Sequence, residues 1–368
     1  MKIKILFFMY SLSGGGAERT VVNIINNLNK EKYEAVIVLV KKENNVYLDL
    51  LSKHVSVIIL NGDRLRGSIF KLRRCIILEK PDLLFSTING NNIILLLAKL
   101  LSFSKIPTIV REANNRTQSG KVTPINKIFT YITYNFISNQ VITLSEGVKL
   151  DLVNNFKIKE NKIKVIYNPV EVDQVYKLSL DTVEDFERKD KEKLMIAVGR
   201  LAEQKDYQTL LKAFEIINKE VNVRLLILGI GPLEKSLKDL CVDLNIEDRV
   251  VFLGFKSNPY KYMRLADLFI LSSKWEGFGH VIVEAMASEV PVISTNCKSG
   301  PDEIIEENRY GVLVPVSNIG ILASESIELL KNNEMRRKYL IEGGKRAKFF
   351  DAKKIVKDYE SCFKEILS

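Results

Sequence analysis

Histidine and tryptophan are nearly missing from this chain of 368 residues, which holds two of the first and one of the second. His54 and His280 lie far apart, and Cys75, Cys241, Cys297 and Cys362 form no C-x-x-C pair, so no zinc site is spelled out. The four cysteines read as reduced, mostly buried thiols of a cytosolic protein. Long apolar runs are lacking too. The stretch from Ile93 to Leu101 is interrupted by Lys99 and falls well short of the roughly 20 residues that span a bilayer. The opening MKIKILFFMYSL stops at a glycine cluster without a small-residue cleavage site and reads as a first β-strand, not a leader.

Two nucleotide fingerprints are also wanting. SLSGGGAERT (residues 11–20) would need glycine at position 19 to complete G-x-G-x-x-G, and Arg19 stands there; Gly229 and Gly231 fail likewise because Glu234 occupies the third position. Gly344-Lys345 is followed by Arg346 where a P-loop requires Ser or Thr. Hydride transfer on a dinucleotide and P-loop phosphoryl transfer therefore lose their main support.

What is present is charge, unevenly placed. Net charge is +10, yet residues 1–170 carry 25 Lys and Arg against 12 Asp and Glu, while the remainder carries 30 against 33. A basic first half attracts phosphates, whether on a membrane, a nucleic acid or a small anionic substrate.

Short β-branched runs alternate with amphipathic stretches, the signature of parallel α/β architecture. Strands are expected at Ile3–Tyr10, Ala35–Val40, Val55–Leu60, Leu83–Ser86, Thr108–Arg111, Gln140–Leu144 and Lys164–Tyr167. They recur at Leu194–Val198, Arg224–Leu228, Val250–Leu253, Leu268–Leu271, Val292–Thr295 and Val312–Val314. Residues 171–193 have few large apolar side chains and no clear period, which makes them the candidate linker. The reading is two doubly wound, Rossmann-like domains facing a central cleft: residues 1–170, the linker, residues 194–350, and a last amphipathic helix over 351–368 that could pack back on the first domain.

Open α/β sheets bind ligands where strands end and helices begin. Gly14, Gly15 and Gly16 occupy such a turn in the first half, where glycine lets backbone amides approach a phosphate; a tight turn without a ligand is the plainer alternative. In the second half VGRLAEQKD (residues 198–206) sets Arg200 and Lys205 at a strand mouth. The planar fork of Arg and the point charge of Lys suit a diphosphate, though a basic pair in a loop is more often solvated surface. KWEGFGHVIVEAMA (residues 274–287) adds Glu276 at the end of a buried strand, Gly277 and Gly279 for close backbone approach, and Glu284 one turn into the next helix. Two cations, a helix N-terminus and two carboxylates match the hydroxyls and diphosphate of a nucleoside diphosphate sugar.

At these residues the chain resembles family four of the retaining glycosyltransferases, with the GT-B fold, of the bacterial capsule, O-antigen and lipid-linked oligosaccharide type. EGFGHVIVE with AMA and PVIST, VGRL-x-x-x-KD, SGGGAER, IYNPV (166–170), GFKSNPYKYMRLADLFILSS (254–273) and SGPDEI (299–304) carry the likeness over most of the chain. The resemblance implies that Arg200 and Lys205 bind the donor diphosphate and stabilise it as leaving group. Glu276 would contact the transferred sugar and Glu284 the ribose. The amides of Gly277, Phe278 and Gly279 would touch phosphates and sugar, with Gly15 and Gly16 closing over them from the first domain. No Asp-x-Asp occurs, which fits a metal-independent site needing no cofactor, the nucleotide sugar being a substrate. The activity implied moves a hexose or N-acetylhexosamine from a UDP-sugar donor to a lipid-linked glycan acceptor. A UDP-sugar epimerase on a similar scaffold is the enzymatic alternative. A nucleic-acid-binding protein is suggested only by a pI of 9.2 and lacks any recognition motif, so no nucleic-acid partner is expected.

One departure from the family stands out. Many members carry a histidine at the end of a central first-domain strand, and the corresponding TIVREANN (108–115) offers Arg111, Glu112 and Asn114 instead. These are the acceptor-side candidates: Glu112 could deprotonate an acceptor hydroxyl, or Arg111 and Glu112 could form a structural ion pair. His280 could touch the donor or serve helix entry, Glu303 could cap its helix or touch ligand, and His54 reads as a surface or packing residue. The basic first domain suits an acceptor anchored in an anionic membrane, with the protein cytoplasmic and peripheral on the inner face of the cytoplasmic membrane. RLRGSIFKLRR (64–74) reads either as an interfacial helix or as a solvated helix face.

Overall fold

A computed structural model describes residues 2–118, 120 and 122–368. It divides into two compact units, one formed by residues up to Val170 together with Ala352–Ser368, the other by Glu171–Asp351.

The first unit is built on a 7-stranded sheet. Its strands are β1 (Ile3–Met9), β2 (Tyr33–Leu39), β3 (Ser56–Ile59), β4 (Leu83–Thr87), β5 (Thr108–Glu112), β6 (Gln140–Thr143) and β7 (Ile163–Val165), in the order β3-β2-β1-β4-β5-β6-β7. Every pairing is parallel. Strands in such a sheet are covered on both faces and so are apolar throughout. In β1, Ile5, Phe7 and Met9 join a core with Val21, Ile24 and Ile25 of the helix Gly16–Asn27, while Leu6 and Phe8 point the other way against Leu72, Ile94 and Leu95. The last helix, Ala352–Leu367, lays Ile355, Tyr359 and Phe363 into the first of these cores. Lys164 pairs with Glu365 at 2.9 Å at its end.

The second unit repeats the plan with a 6-stranded sheet. Its strands are β8 (Lys193–Val198), β9 (Val223–Leu228), β10 (Val250–Gly254), β11 (Leu268–Leu271), β12 (Val292–Thr295) and β13 (Val312–Val314), ordered β10-β9-β8-β11-β12-β13. All pairings are again parallel. In each unit the order reverses at the central strand, between β1 and β4 and between β8 and β11. Connections leave those neighbours toward opposite faces and open a crevice at their C-terminal ends.

Each expected strand overlaps an observed one, whereas the expected linker does not persist as one. Val172–Ser179 is a helix with Val172, Val175 and Ser179 buried, packed on helices of the second unit. Glu192 is buried between Arg224 at 3.1 Å and Arg249 at 3.3 Å. The helix spans only two turns, too few for a period to show, and the polar residues that follow are spent on partners within the second unit.

Candidate active site

Two loops meet at the switch point of the second unit. The first leaves β8 through Gly199, Arg200 and Leu201 to a short turn, Glu203–Lys205, before the helix Tyr207–Glu220. The other leaves β11 through Ser272 to Gly279 and enters the helix His280–Ala287. Lys274 N–H donates to Gln204 O at 2.8 Å, Gln204 Nε2 to Trp275 O at 2.9 Å and Ser272 Oγ to Lys205 O at 2.7 Å. These bonds fix one loop to the other before any ligand arrives.

On that frame Lys205 Nζ lies 2.6 Å from Glu276 Oε1, and Ser273 Oγ donates to the same oxygen at 2.7 Å. Both ion-pair partners are largely buried. The expected cation pair is therefore divided. Lys205 is held against the first carboxylate, while Arg200 is exposed and its guanidinium has no partner among the described residues. The exposed, unengaged guanidinium leaves positive charge where an anion can be met, while the ammonium is balanced by Glu276.

Glycine is required by geometry at two positions. Gly279 precedes the helix at φ +94°, and no side chain caps that N-terminus. Gly300 of the SGPDEI segment, at φ +100°, passes so close that a Cβ would lie 2.2 Å from Phe278 O. Phe278 itself turns inward against Phe350, ring centres 5.3 Å apart, so only its backbone is placed to meet a ligand. Glu284 is buried one turn into the helix and accepts from Tyr260 Oη at 3.4 Å. His280 stacks edge-on to Phe278 at 5.7 Å. Glu303 offers its carbonyl to Arg346 at 2.7 Å. Ser272, Ser273 and Gln204 were not singled out by motif; small polar residues directly after a buried strand were the available signal.

The switch point of the first unit is hollow. A cavity of about 610 Å³ opens between the ends of β1 and β4, lined by Tyr10, Ser13, Glu18, Asp63, Arg64 and Asn91 among others. Gly14, at φ +105°, offers its carbonyl to Tyr47 Oη at 2.9 Å. Gly15 lies under the Glu18 carboxylate, whose Oε2 is 2.4 Å from where a Cβ would be, and Gly16 begins the helix. Burial raises the Glu18 carboxyl above its ordinary range. Ile88 lines the cavity at φ 72°, a conformation that costs a β-branched residue about 1–3 kcal/mol and that clusters at functional sites.

The acceptor-side candidates are corrected here. Arg111 is fully buried and all its nitrogens are engaged: Nε donates to Tyr359 Oη at 3.1 Å, Nη1 to Thr87 Oγ1 at 2.9 Å, and Nη2 to Asn168 Oδ1. It anchors the last helix to the sheet and is unavailable to an acceptor. It also does not pair with Glu112, because neighbouring strand residues point to opposite faces. Glu112 is buried on the other side, accepting from Tyr134 Oη at 3.1 Å and Asn92 Nδ2 at 3.4 Å, with Arg116 Nε 3.5 Å from its other oxygen. Burial, opposed by Arg116, lifts its carboxyl to about 6. Packed this deeply, it serves the interior and not an acceptor hydroxyl. Asn114 is exposed in the loop that follows. Asp151, which accepts from the Arg116 and Thr117 amides at 2.9 and 3.3 Å, holds that loop and carried no motif.

Residues 64–74 form a short turn, Leu65–Ser68, and the start of the helix Ile69–Glu79. Leu72 is in the core, Lys71 donates to Leu60 O at 2.8 Å and Arg73 to Leu101 O at 2.9 Å, so part of the basic cluster is spent on the protein's own carbonyls. Among the described residues no helix is long and apolar enough to cross a membrane.

Comparison with known proteins gives the family and the fold. Residues 14–174 match the family described as Glycosyltransferase Family 4, and residues 181–346 that described as Glycosyl transferases group 1. A Campylobacter jejuni N-acetylgalactosamine-N,N'-diacetylbacillosaminyl-diphospho-undecaprenol 4-alpha-N-acetylgalactosaminyltransferase is 30% identical over 96% of this chain and 98% of its own. The chain belongs to glycosyltransferase family four. A second Campylobacter jejuni transferase, which adds alpha-1,4-N-acetyl-D-galactosamine to a diNAcBac-PP-undecaprenol saccharide, is 28% identical to this transferase over 99% of both chains. Among solved structures, Anabaena HepE in complex with UDP and glucose superposes with a TM-score of 0.82 at 20% identity, covering 99% of this transferase and 100% of HepE. The fold is GT-B.

Proposed function

We propose that this transferase moves a hexose or N-acetylhexosamine, with retention and without a metal or other cofactor, from a UDP-sugar to a saccharide on a lipid diphosphate, working at the face of an anionic membrane. The observation that carries the reading is the Lys205–Glu276 pair at 2.6 Å, beside the unengaged Arg200 at the β8/β11 switch point. Departure of the nucleotide leaves negative charge on its phosphate. Arg200 and Lys205 would meet that charge, and preorganised cations lower such a barrier with no reorganisation at the moment of reaction. Glu276, anchored by Ser273, would take a sugar hydroxyl, Glu284 the ribose, and the backbone of Gly277, Phe278 and Gly279 the phosphates and sugar. Support for the donor comes from HepE, bound to UDP and glucose, and for the acceptor from the two Campylobacter transferases, whose names specify undecaprenol diphosphate.

On the acceptor side the proposal moves from Arg111 and Glu112 to the first unit's cavity, where Glu18, Asp63 and Asn91 can accept from and donate to saccharide hydroxyls. The test is transfer from a panel of UDP-sugars to lipid-diphosphate saccharides, with the product anomer assigned by NMR. Product should form undiminished in excess chelator, and the new linkage should keep the donor's configuration. A strict requirement for manganese or magnesium, or an inverted product, would overturn the mechanism.

A further inference from the structure

The helix Pro124–Ile132 is turned inside out. Ile125, Ile128, Phe129 and Ile132 follow the i, i+3, i+4, i+7 spacing of one helix face, yet they are 66%, 59%, 48% and 47% exposed. The helix's one buried residue is Thr130, which accepts from Arg116 Nη1 at 2.7 Å and donates to Asn126 O at 2.8 Å. The apolar stripe continues past the helix end into Phe136, 65% exposed. A nine-residue helix gains little stability from propensity alone and depends on packing its apolar face. Among the described residues that face is left about half open or more, and contiguous exposed apolar surface of this kind marks an interaction site.

Cations flank the stripe. Lys159 Nζ sits over the Phe136 ring at 6.0 Å, and Lys157, whose carbonyl accepts from Asn135 Nδ2 at 3.2 Å, is exposed nearby; Lys127 is on the opposite face of the helix, over the Phe156 ring at 5.9 Å. The acids between residues 133 and 160 are all engaged: Asp151 accepts from the Arg116 amide at 2.9 Å, and Glu146 and Glu160 are drawn to Lys149, at 3.7 and 2.9 Å. We propose that this face, and not the stretch 64–74, is the seat of an anionic lipid surface, with Ile125, Ile128, Phe129, Ile132 and Phe136 entering the acyl boundary and Lys157 and Lys159 meeting the headgroups. Aromatic and aliphatic groups on one side with lysines at the rim are what an interfacial helix requires. A second copy of the chain is the weaker occupant, since stacking this face on itself brings like charges together. The inference rests on the reading that the acceptor is lipid-linked.

Binding is measured by co-flotation with vesicles of phosphatidylcholine and phosphatidylglycerol that contain no glycan, at low and at moderate salt. Wild-type protein should float. The variant Ile128→Glu with Phe129→Glu should lose at least tenfold in binding while keeping its circular dichroism, and Lys157→Glu with Lys159→Glu should lose severalfold, most at low salt. Val242→Glu, an exposed apolar position in the second unit, should change nothing. If the paired Glu variant misfolds, Ile125→Trp gives a second readout, a blue shift of emission on anionic vesicles. Equal flotation of wild type and variants, an unshifted Trp, or a wild-type dimer that the Glu pair splits without any vesicle binding would each overturn the proposal. Because the vesicles carry no acceptor, such a failure leaves the transferase reading standing. Loss of sugar transfer with flotation intact would do the reverse.

Discussion

The two switch points share a topology and differ in what fills them. Between β8 and β11 the loops are stitched by three hydrogen bonds and close over an ion pair, Lys205 with Glu276 at 2.6 Å. Between β1 and β4 they leave a cavity of about 610 Å³ whose rim includes a strained Ile88. A parallel sheet with a reversal in strand order supplies a crevice in either case. The side chains at the strand ends decide its use. Fixed charges, set before the ligand arrives, suit a site that must stabilise a developing phosphate charge; open space with Ser13, Glu18, Asp63 and Asn91 on its wall suits a saccharide, whose rings are apolar on their faces and hydroxylated at their edges.

The sharpest way to break this contrast is Glu276→Gln. If the second unit's site is preorganised for chemistry, the substitution removes one partner of a buried ion pair and the anchor for the sugar. Turnover should fall by roughly 10²–10³, the scale seen when one preorganised electrostatic contact is deleted. UDP binding and a native circular dichroism spectrum are the controls and should persist, while the unfolding transition should fall because Lys205 loses its buried partner. Near-normal turnover would remove Glu276 from the site.

A smaller effect separates the first unit's cavity from the carboxylate of Glu112, which is buried elsewhere in the same unit. Glu112 titrates near 6 when folded against an ordinary 4.5. Between those values the unfolded chain has released this proton and the folded chain still holds it, so stability contributed by the group is present at pH 4.5 and lost as pH rises through 6. The span corresponds to about 2 kcal/mol. Glu112→Gln should flatten the pH dependence of urea unfolding in that window. An unchanged slope would mean that Glu112 is not the buried group described, and would reopen its acceptor role.

Much of this was legible in the sequence because it is local. The strands show as short β-branched runs, and the glycines, Arg200, Lys205, Glu276 and Glu284 fall at fixed offsets from strand ends. What was hidden is long-range. Arg111 looked like a site residue since it ends a central strand, but its partner Tyr359 lies 248 positions away, and no spacing announces that. The helix Val172–Ser179 was hidden by its length, and the Pro124–Ile132 stripe has the pattern of an ordinary core helix until its exposure is seen. Glu18 sits inside SGGGAER, a motif read for its glycines alone.

Glu18 also supplies the finest test of the comparison. It lines the cavity and its carboxylate lies over Gly15, so its oxygens are placed to accept from a ligand hydroxyl. A hydrogen bond to a charged acceptor is worth about 1.5–3 kcal/mol, and glutamine keeps the shape while giving up the charge. Glu18→Gln should therefore raise the acceptor KM roughly fivefold, about 1 kcal/mol, with the donor KM and the chemical step unchanged. Steady-state kinetics varied in each substrate separates these terms. If the donor KM rises instead, the first unit's crevice grips the nucleotide sugar, and the division of labour between the two switch points is wrong.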